Sequence, residues 1–171
     1  NTAPPKALRP PLLRGQNMGL LSEAGMPAVA DPGSSIVRAA HGLGVRVLPM
    51  VGPSSILLAL AASGLNGQQF AFVGYLPQNA AERSTRIKQL EGFALKTGQA
   101  QLCIETPYRN AALWQALLST LQPNTMLALH SGLTLEQGFS RSLPVSAWRK
   151  LGTAPEVEQA LALPCMFAWG Q

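Results

Sequence analysis

Only two histidines, two cysteines and eight acidic residues are available for side-chain chemistry in this chain. A nucleophilic serine needs a base and a sharp strand-to-helix elbow. No GxSxG motif is present, His41 sits beside Gly42 on an expected helix, His130 ends an expected strand, and the lone aspartate, Asp31, precedes Pro32 on a loop. These residues make no triad, and Asp31 is suited to capping the helix that follows Gly33. A metal site needs clustered ligands, and none is expected, because Cys103 and Cys165 lie far apart and the histidines are isolated. Both cysteines stand inside apolar runs, QLCIE and LPCMFAW, and read as buried free thiols on strands. Neither GxxxxGK(S/T) nor GxGxxG occurs, so ATP and dinucleotide binding have no motif behind them.

What remains is a site built from backbone. In LLSEAGMPAVADPG (20–33), Ser22, Ala24, Gly25 and Pro27 are small, as are Gly52, Pro53, Ser54 and Ser55 in MVGPSS (50–55). Such residues let a ligand lie against main-chain N–H and C=O groups, and a helix starting at Ser54 adds free donors. The same residues also suit plain tight β-α turns, and both readings stand. A second cluster follows an expected strand at Glu105-Thr106-Pro107-Tyr108-Arg109-Asn110. Glu105 and Arg109, four residues apart, either pair across the helix start or face a cleft opposite the glycine loops. His130-Ser131-Gly132-Leu133-Thr134 ends the next expected strand on the same edge.

The elements that must position these residues follow from periodicity and turn chemistry. Residues 1–11 hold four prolines, which exclude a regular helix interior, and Leu8, Leu12 and Leu13 fit a last helical turn ending at Arg14–Gly15. Strands are expected at 18–22 and 45–50 around a helix at 34–43, a β-α-β unit, parallel and right-handed. The helix from Ser54 to Gly64 is apolar on nearly every side and should be buried. Strands are then expected at 70–75, 100–105, 125–130 and 164–169, with a loop and strand across 132–143 and a short helix start at PVSAW. Two helices are expected, one at 80–93 with Arg83, Arg86, Lys88 and Glu91 on its wet side, and one from Thr106–Pro107 to Leu121. The fold class is α/β, in two small domains: 1–69, which reads as incomplete, and 70–171.

Composition bounds the partners. At 47 % hydrophobic and 12 % charged, the 171 residues can bury a real core. No uninterrupted apolar window of membrane-spanning length exists, and the first residues do not read as a signal peptide, so a cytoplasmic protein is expected. A net charge of +5 permits a polyanionic partner, but the basic residues are scattered apart from Arg83, Arg86 and Lys88 and the Arg149–Lys150 pair.

Taken in order, LLSEAGMPAVADPG, VRVLPMVGPSSILLALAASGL, FAFVGYLP, IETPYR and LHSGLTLE resemble the tetrapyrrole methylase superfamily, most nearly its branch of ribosomal RNA small-subunit cytidine 2′-O-methyltransferases. The resemblance covers about residues 12–143. It implies two α/β domains with S-adenosylmethionine in the cleft between them, and a homodimer. It places Ala24, Gly25, Met26 and Pro27, then Gly52, Pro53, Ser54 and Ser55, then Ile104, Glu105, Leu133 and Thr134 at or around the cofactor. The expected activity is methyl transfer to a ribose 2′-hydroxyl of RNA, with Glu105 as candidate base and Arg109 holding an anionic substrate group. A tetrapyrrole or other small-molecule acceptor, and a non-catalytic scaffold that kept the fold, are the alternatives. The chain departs from the family pattern at Glu23, Met26, Tyr108, Ser131 and Leu135, and nothing in residues 1–17 corresponds to the family's first strand, which is therefore expected to be lacking.

Overall fold

Alternating apolar residues specify an extended segment, but only a hydrogen-bonding neighbour makes it a strand. That distinction separates the two halves of this protein. The computed structural model describes residues 9–152 and 154–171, so the reading of Leu8 and of the first two prolines lies outside the described residues. Compactness divides the chain into two units, Asn1–Ser54 and Ser55–Gln171. The sequence boundary at 69/70 falls later, because the helix from Ser55 packs onto the sheet of the second unit.

In the first unit a short helix, α1 (Arg9–Leu13), ends in a turn at Arg14 and Gly15, as the positions of Leu12 and Leu13 predict. A second, α2 (Ser34–Gly42), is closed by Gly44 in the left-handed conformation. Its N-cap is Gly33, with no side-chain capping bond, so Asp31 does not serve as the cap. Gly33 is required there: its φ is 141°, and a side chain would meet Leu20 and Ala28. The expected strands at 18–22 and 45–50 are absent. Val45 to Leu48 alternates half-buried and exposed positions as a strand would. Among the described residues, however, neither segment finds a ladder partner, and no β-α-β unit forms.

The second unit carries a five-stranded sheet in the order β1-β2-β5-β3-β4. The strands are β1 (Phe70–Phe72), β2 (Ala100–Glu105), β3 (Met126–Ser131), β4 (Phe139–Pro144) and β5 (Cys165–Gly170). Only β1 and β2 are parallel; β5 runs antiparallel to both β2 and β3, and β3 antiparallel to β4. One face packs α3 (Ser55–Ser63) through Ile56, Ala59 and Leu60 onto Leu102, Ala128, Met166 and Ala168. The other face is covered by α4 (Ala80–Thr97), α5 (Pro107–Thr120), α6 (Val145–Leu151) and α7 (Pro155–Leu161). There Trp114 meets Trp148 edge to face at 5.0 Å and stacks on Phe167, and Trp148 Nε1 donates to the Leu127 carbonyl at 2.7 Å. Both cysteines are free and buried on strands, and burial pushes the Cys165 thiol up to about 12.

Three further findings depart from the pattern reading. Helix α3 is not buried all round: Leu57 is 54 % exposed. Glu91 is not on the wet side of α4 but buried, accepting from Gln122 N at 2.7 Å and Thr125 Oγ1 at 2.5 Å. Helix α7 was not anticipated, and it delivers the chain into β5. The buried Asn110 on α5 ties that entry down, its Nδ2 donating to Leu161 O at 2.9 Å and Leu163 O at 2.6 Å. Asn110→Ala takes this donor from two carbonyls, leaving Leu163 O with the Cys165 thiol at 3.3 Å and Leu161 O without the amide in a buried position, and we expect a loss of about 1–3 kcal/mol in urea unfolding.

Candidate functional site

The small residues of the first unit form a loop whose backbone is largely unspent. Ser22 Oγ donates to Ala24 O at 2.7 Å, and the turn closes on itself through Val29 N to Met26 O and Ala28 N to Pro32 O. Among the described residues, the N–H groups of Glu23, Ala24, Gly25 and Met26 donate to no other backbone group. Pro27 is half-buried at the base of this turn. Gly25 has φ 75°, Gly52 an ordinary φ, and beside each the space a Cβ would take is open. Pro53 is exposed and Ser54 buried. A ligand that recognises main chain needs free donors and no side chain in the way, and these loops provide both.

In the second unit, Ser55 opens α3 and the other candidates gather at one rim of the sheet. Strand register sorts them onto two faces. Ile104, Met166, His130 and Ser140 form a row on the α3 face, where Ile104 and Leu133 pack against the α3 cluster. Glu105, Cys165 and Ser131 form the corresponding row on the opposite face. Thr134 is exposed in the loop from Gly132 to Gly138, which is tight enough that a side chain at Gly138 would strike the Gly132 carbonyl.

Glu105 and Arg109 are brought together. Glu105 is buried, and Arg109 donates to its Oε2 at 2.6 Å. Its Oε1 accepts from Thr106 N at 2.8 Å and from Thr106 Oγ1 at 3.2 Å. Both carboxylate oxygens are therefore engaged. The hydrogen bond it donates to Glu105 holds the Arg109 guanidinium above its ordinary pKa, so it is a fixed cation at the start of α5. The pairing half of the sequence reading describes this geometry.

No family model matches the chain. A protein of Mesorhizobium japonicum named ribosomal RNA small subunit methyltransferase I is 40 % identical over 121 residues, 70 % of this chain and 40 % of its own. Proteins of the same name from Vibrio cholerae and Neisseria meningitidis are each 32 % identical, over 79 % and 86 % of this chain and 46 % of their own. The chain spans less than half the length of the curated relatives it matches. Among solved structures, the methyltransferase CobJ superposes with a TM-score of 0.53 at 15 % identity, covering 86 % of this chain and 62 % of that one. Cobalt precorrin-4 methyltransferase CbiF gives a TM-score of 0.53 at 12 % identity, over 85 % and 61 %. The chain has the fold of the tetrapyrrole methylases.

Within this tetrapyrrole methylase fold, one group at the rim escaped the motif reading. His130 is fully buried; its Nδ1 lies 3.0 Å from Ser140 Oγ, and its Nε2 has no partner among the described residues. Its position at the end of an apolar strand was visible in the sequence, but not the burial that β5 and β4 impose on either side. Burial pushes its pKa down to about 4 from 6.5. Between those values the unfolded chain binds a proton that the folded chain refuses, so stability falls as pH drops from about 6.5 to 4. Replacing it, as in His130→Gln, should flatten this part of the pH–stability profile by about 3 kcal/mol, measured by urea unfolding of both proteins across that range.

Proposed function

We propose that the chain is part of an S-adenosylmethionine-dependent methyltransferase acting on ribosomal RNA, with a ribose 2′-hydroxyl as acceptor. The match through most of this chain to relatives named for ribosomal RNA methylation carries the reading. The residues present suit the cofactor. It offers a carboxylate, an ammonium and an adenosine, which call for main-chain donors and acceptors, and the Ser22–Pro27 and Gly52–Ser55 loops supply these without a charged side chain in the way. Ile104, Leu133 and Thr134 are the expected contacts from the sheet rim.

When bound, S-adenosylmethionine supplies an electrophilic methyl group on a sulfonium. The chain's own residues have to hold the acceptor in line and keep water out, and positioning of this kind supplies most of the acceleration. Arg109, fixed by Glu105, presents a permanent cation to an anionic group such as a phosphate. A carboxylate with both oxygens engaged suits that holding task; service as the base for the acceptor hydroxyl would require one of its bonds to open. The reading also carries a homodimer, for which the exposed Leu57 on α3 offers apolar surface, and a cytoplasmic setting alongside the ribosomal substrate. No helix among the described residues is long and apolar enough to cross a membrane.

Titration calorimetry with S-adenosylmethionine tests the enzyme reading, and a protein that takes up none of it is a scaffold instead. Gly52→Trp should abolish that binding while leaving the unfolding midpoint unchanged, because its φ is ordinary and its Cβ direction open. Unaltered affinity would remove the loop assignment. Salt separates the acceptors. An RNA substrate implies affinity falling steeply with added salt as phosphate contacts release counterions, whereas a neutral small-molecule acceptor implies almost no dependence.

A further inference from the structure

Two exposed tyrosines stand where the parallel strands β1 and β2 end, one under Arg109 and one next to it in the chain. Tyr75 follows β1 and Tyr108 stands in the first turn of α5; they are 58 % and 83 % exposed. The Arg109 guanidinium lies over the Tyr75 ring at 5.8 Å from its centroid. Tyr108 is the residue before Arg109 at the start of α5. Among the described residues neither hydroxyl makes a hydrogen bond, so the rings are not explained as anchors of local structure. Single exposed aromatics are ordinary. A ring under a guanidinium fixed at 2.6 Å by a buried carboxylate, with a second exposed ring on the preceding residue, is a built arrangement.

We infer that Tyr75, Arg109 and Tyr108 form a stacking platform for unpaired bases of single-stranded RNA. Every base presents a π-face, and rings and guanidinium planes stack on it whatever the sequence. The surroundings suit the rest of a nucleotide. Arg83 at the start of α4 donates to Gln78 O at 3.0 Å, three residues along the loop from Tyr75, and Arg86, one turn further, is exposed. These cations suit phosphates, and the chain's net charge of +5 favours approach of a polyanion. The buried Glu105 is on this account a positioning residue, since it fixes the guanidinium that lies over the Tyr75 ring. The inference rests on the RNA reading above and adds the surface that takes the bases.

Fluorescence anisotropy with a labelled single-stranded RNA oligonucleotide, titrated at several salt concentrations, tests it. Tyr108→Ala and Tyr75→Ala should each weaken binding at least about fivefold while leaving the slope of log affinity against log salt unchanged. Tyr108→Phe should bind like the unaltered protein, because stacking needs the ring and not the hydroxyl. Arg86→Ala should instead reduce the salt slope by about one. An abasic oligonucleotide of equal length should bind the unaltered protein more weakly than the full RNA binds Tyr108→Ala, because it loses stacking on every member of the platform. Equal affinities of the alanine variants and the unaltered protein would remove the platform and leave the RNA reading in place. Failure of the unaltered protein to bind any single-stranded RNA would remove both. Loss of binding in Tyr108→Phe equal to that in Tyr108→Ala would show a hydroxyl contact and overturn stacking.

Discussion

The last strand of the chain decides where the candidate site can be. Strand β5 lies between β2 and β3 and bonds to each along its whole length. Without it those two strands are not neighbours, and Ile104–Glu105 and His130–Thr134 do not share a rim. Because β5 is antiparallel to both, the chain must enter it from that same rim, past Leu161 and Leu163. This is where Asn110 fastens it. Two backbone carbonyls removed from water would each cost free energy if unpaired, and a single side-chain amide answers both. The placement of the rim thus depends on a residue that contributes nothing to it chemically.

Buried polar groups elsewhere follow the same rule, and they are what periodicity reads least well. Glu91 was placed with the solvated residues of α4 because it is charged. Its spacing from Ile87 and Ala94 puts it on the buried stripe, and the structure finds its partners in the backbone N–H of Gln122 and the hydroxyl of Thr125. A pattern argument weighs residue type and spacing together; here spacing was right and type misled. Burying a carboxylate is costly unless it is hydrogen-bonded, and the partners come from a turn that nothing in α4 announces.

Local signals were sufficient where the physics is local. The bounds of β2 were legible, as were α2, the closing glycines of α2 and α3, and the proline-led start of α5. The order of strands was not, since it depends on pairings far apart in sequence, nor was the failure of 18–22 and 45–50 to pair. Helix α7 was missed because its seven residues carry little amphipathic signal beyond Val157 and Ala160–Leu161. At the site, the Glu105–Arg109 spacing left open a pair or two groups facing a cleft, and a pair is what forms. The assignment of Ile104 and Glu105 to opposite faces is a plain consequence of period-2 alternation once the strand exists.

That alternation bears on how the family's sequence variation is to be read. A loop that meets its ligand through N–H groups constrains the size of its side chains more than their chemistry. Exchanges such as Glu23 and Met26 for the family's usual residues are compatible with it, provided the backbone path and the open space at Gly25 and Gly52 persist. A rim that acts through side chains has the opposite sensitivity. Tyr108 and Ser131 change the groups offered there without touching the fold: Tyr108 is exposed at a helix start, and Ser131 Oγ has no partner among the described residues. Conserving a backbone site while altering a side-chain rim is how one fold keeps its cofactor and changes what it acts on. The divergence of this chain from its relatives should therefore be weighed at Tyr108 and Ser131 rather than at the glycine loops.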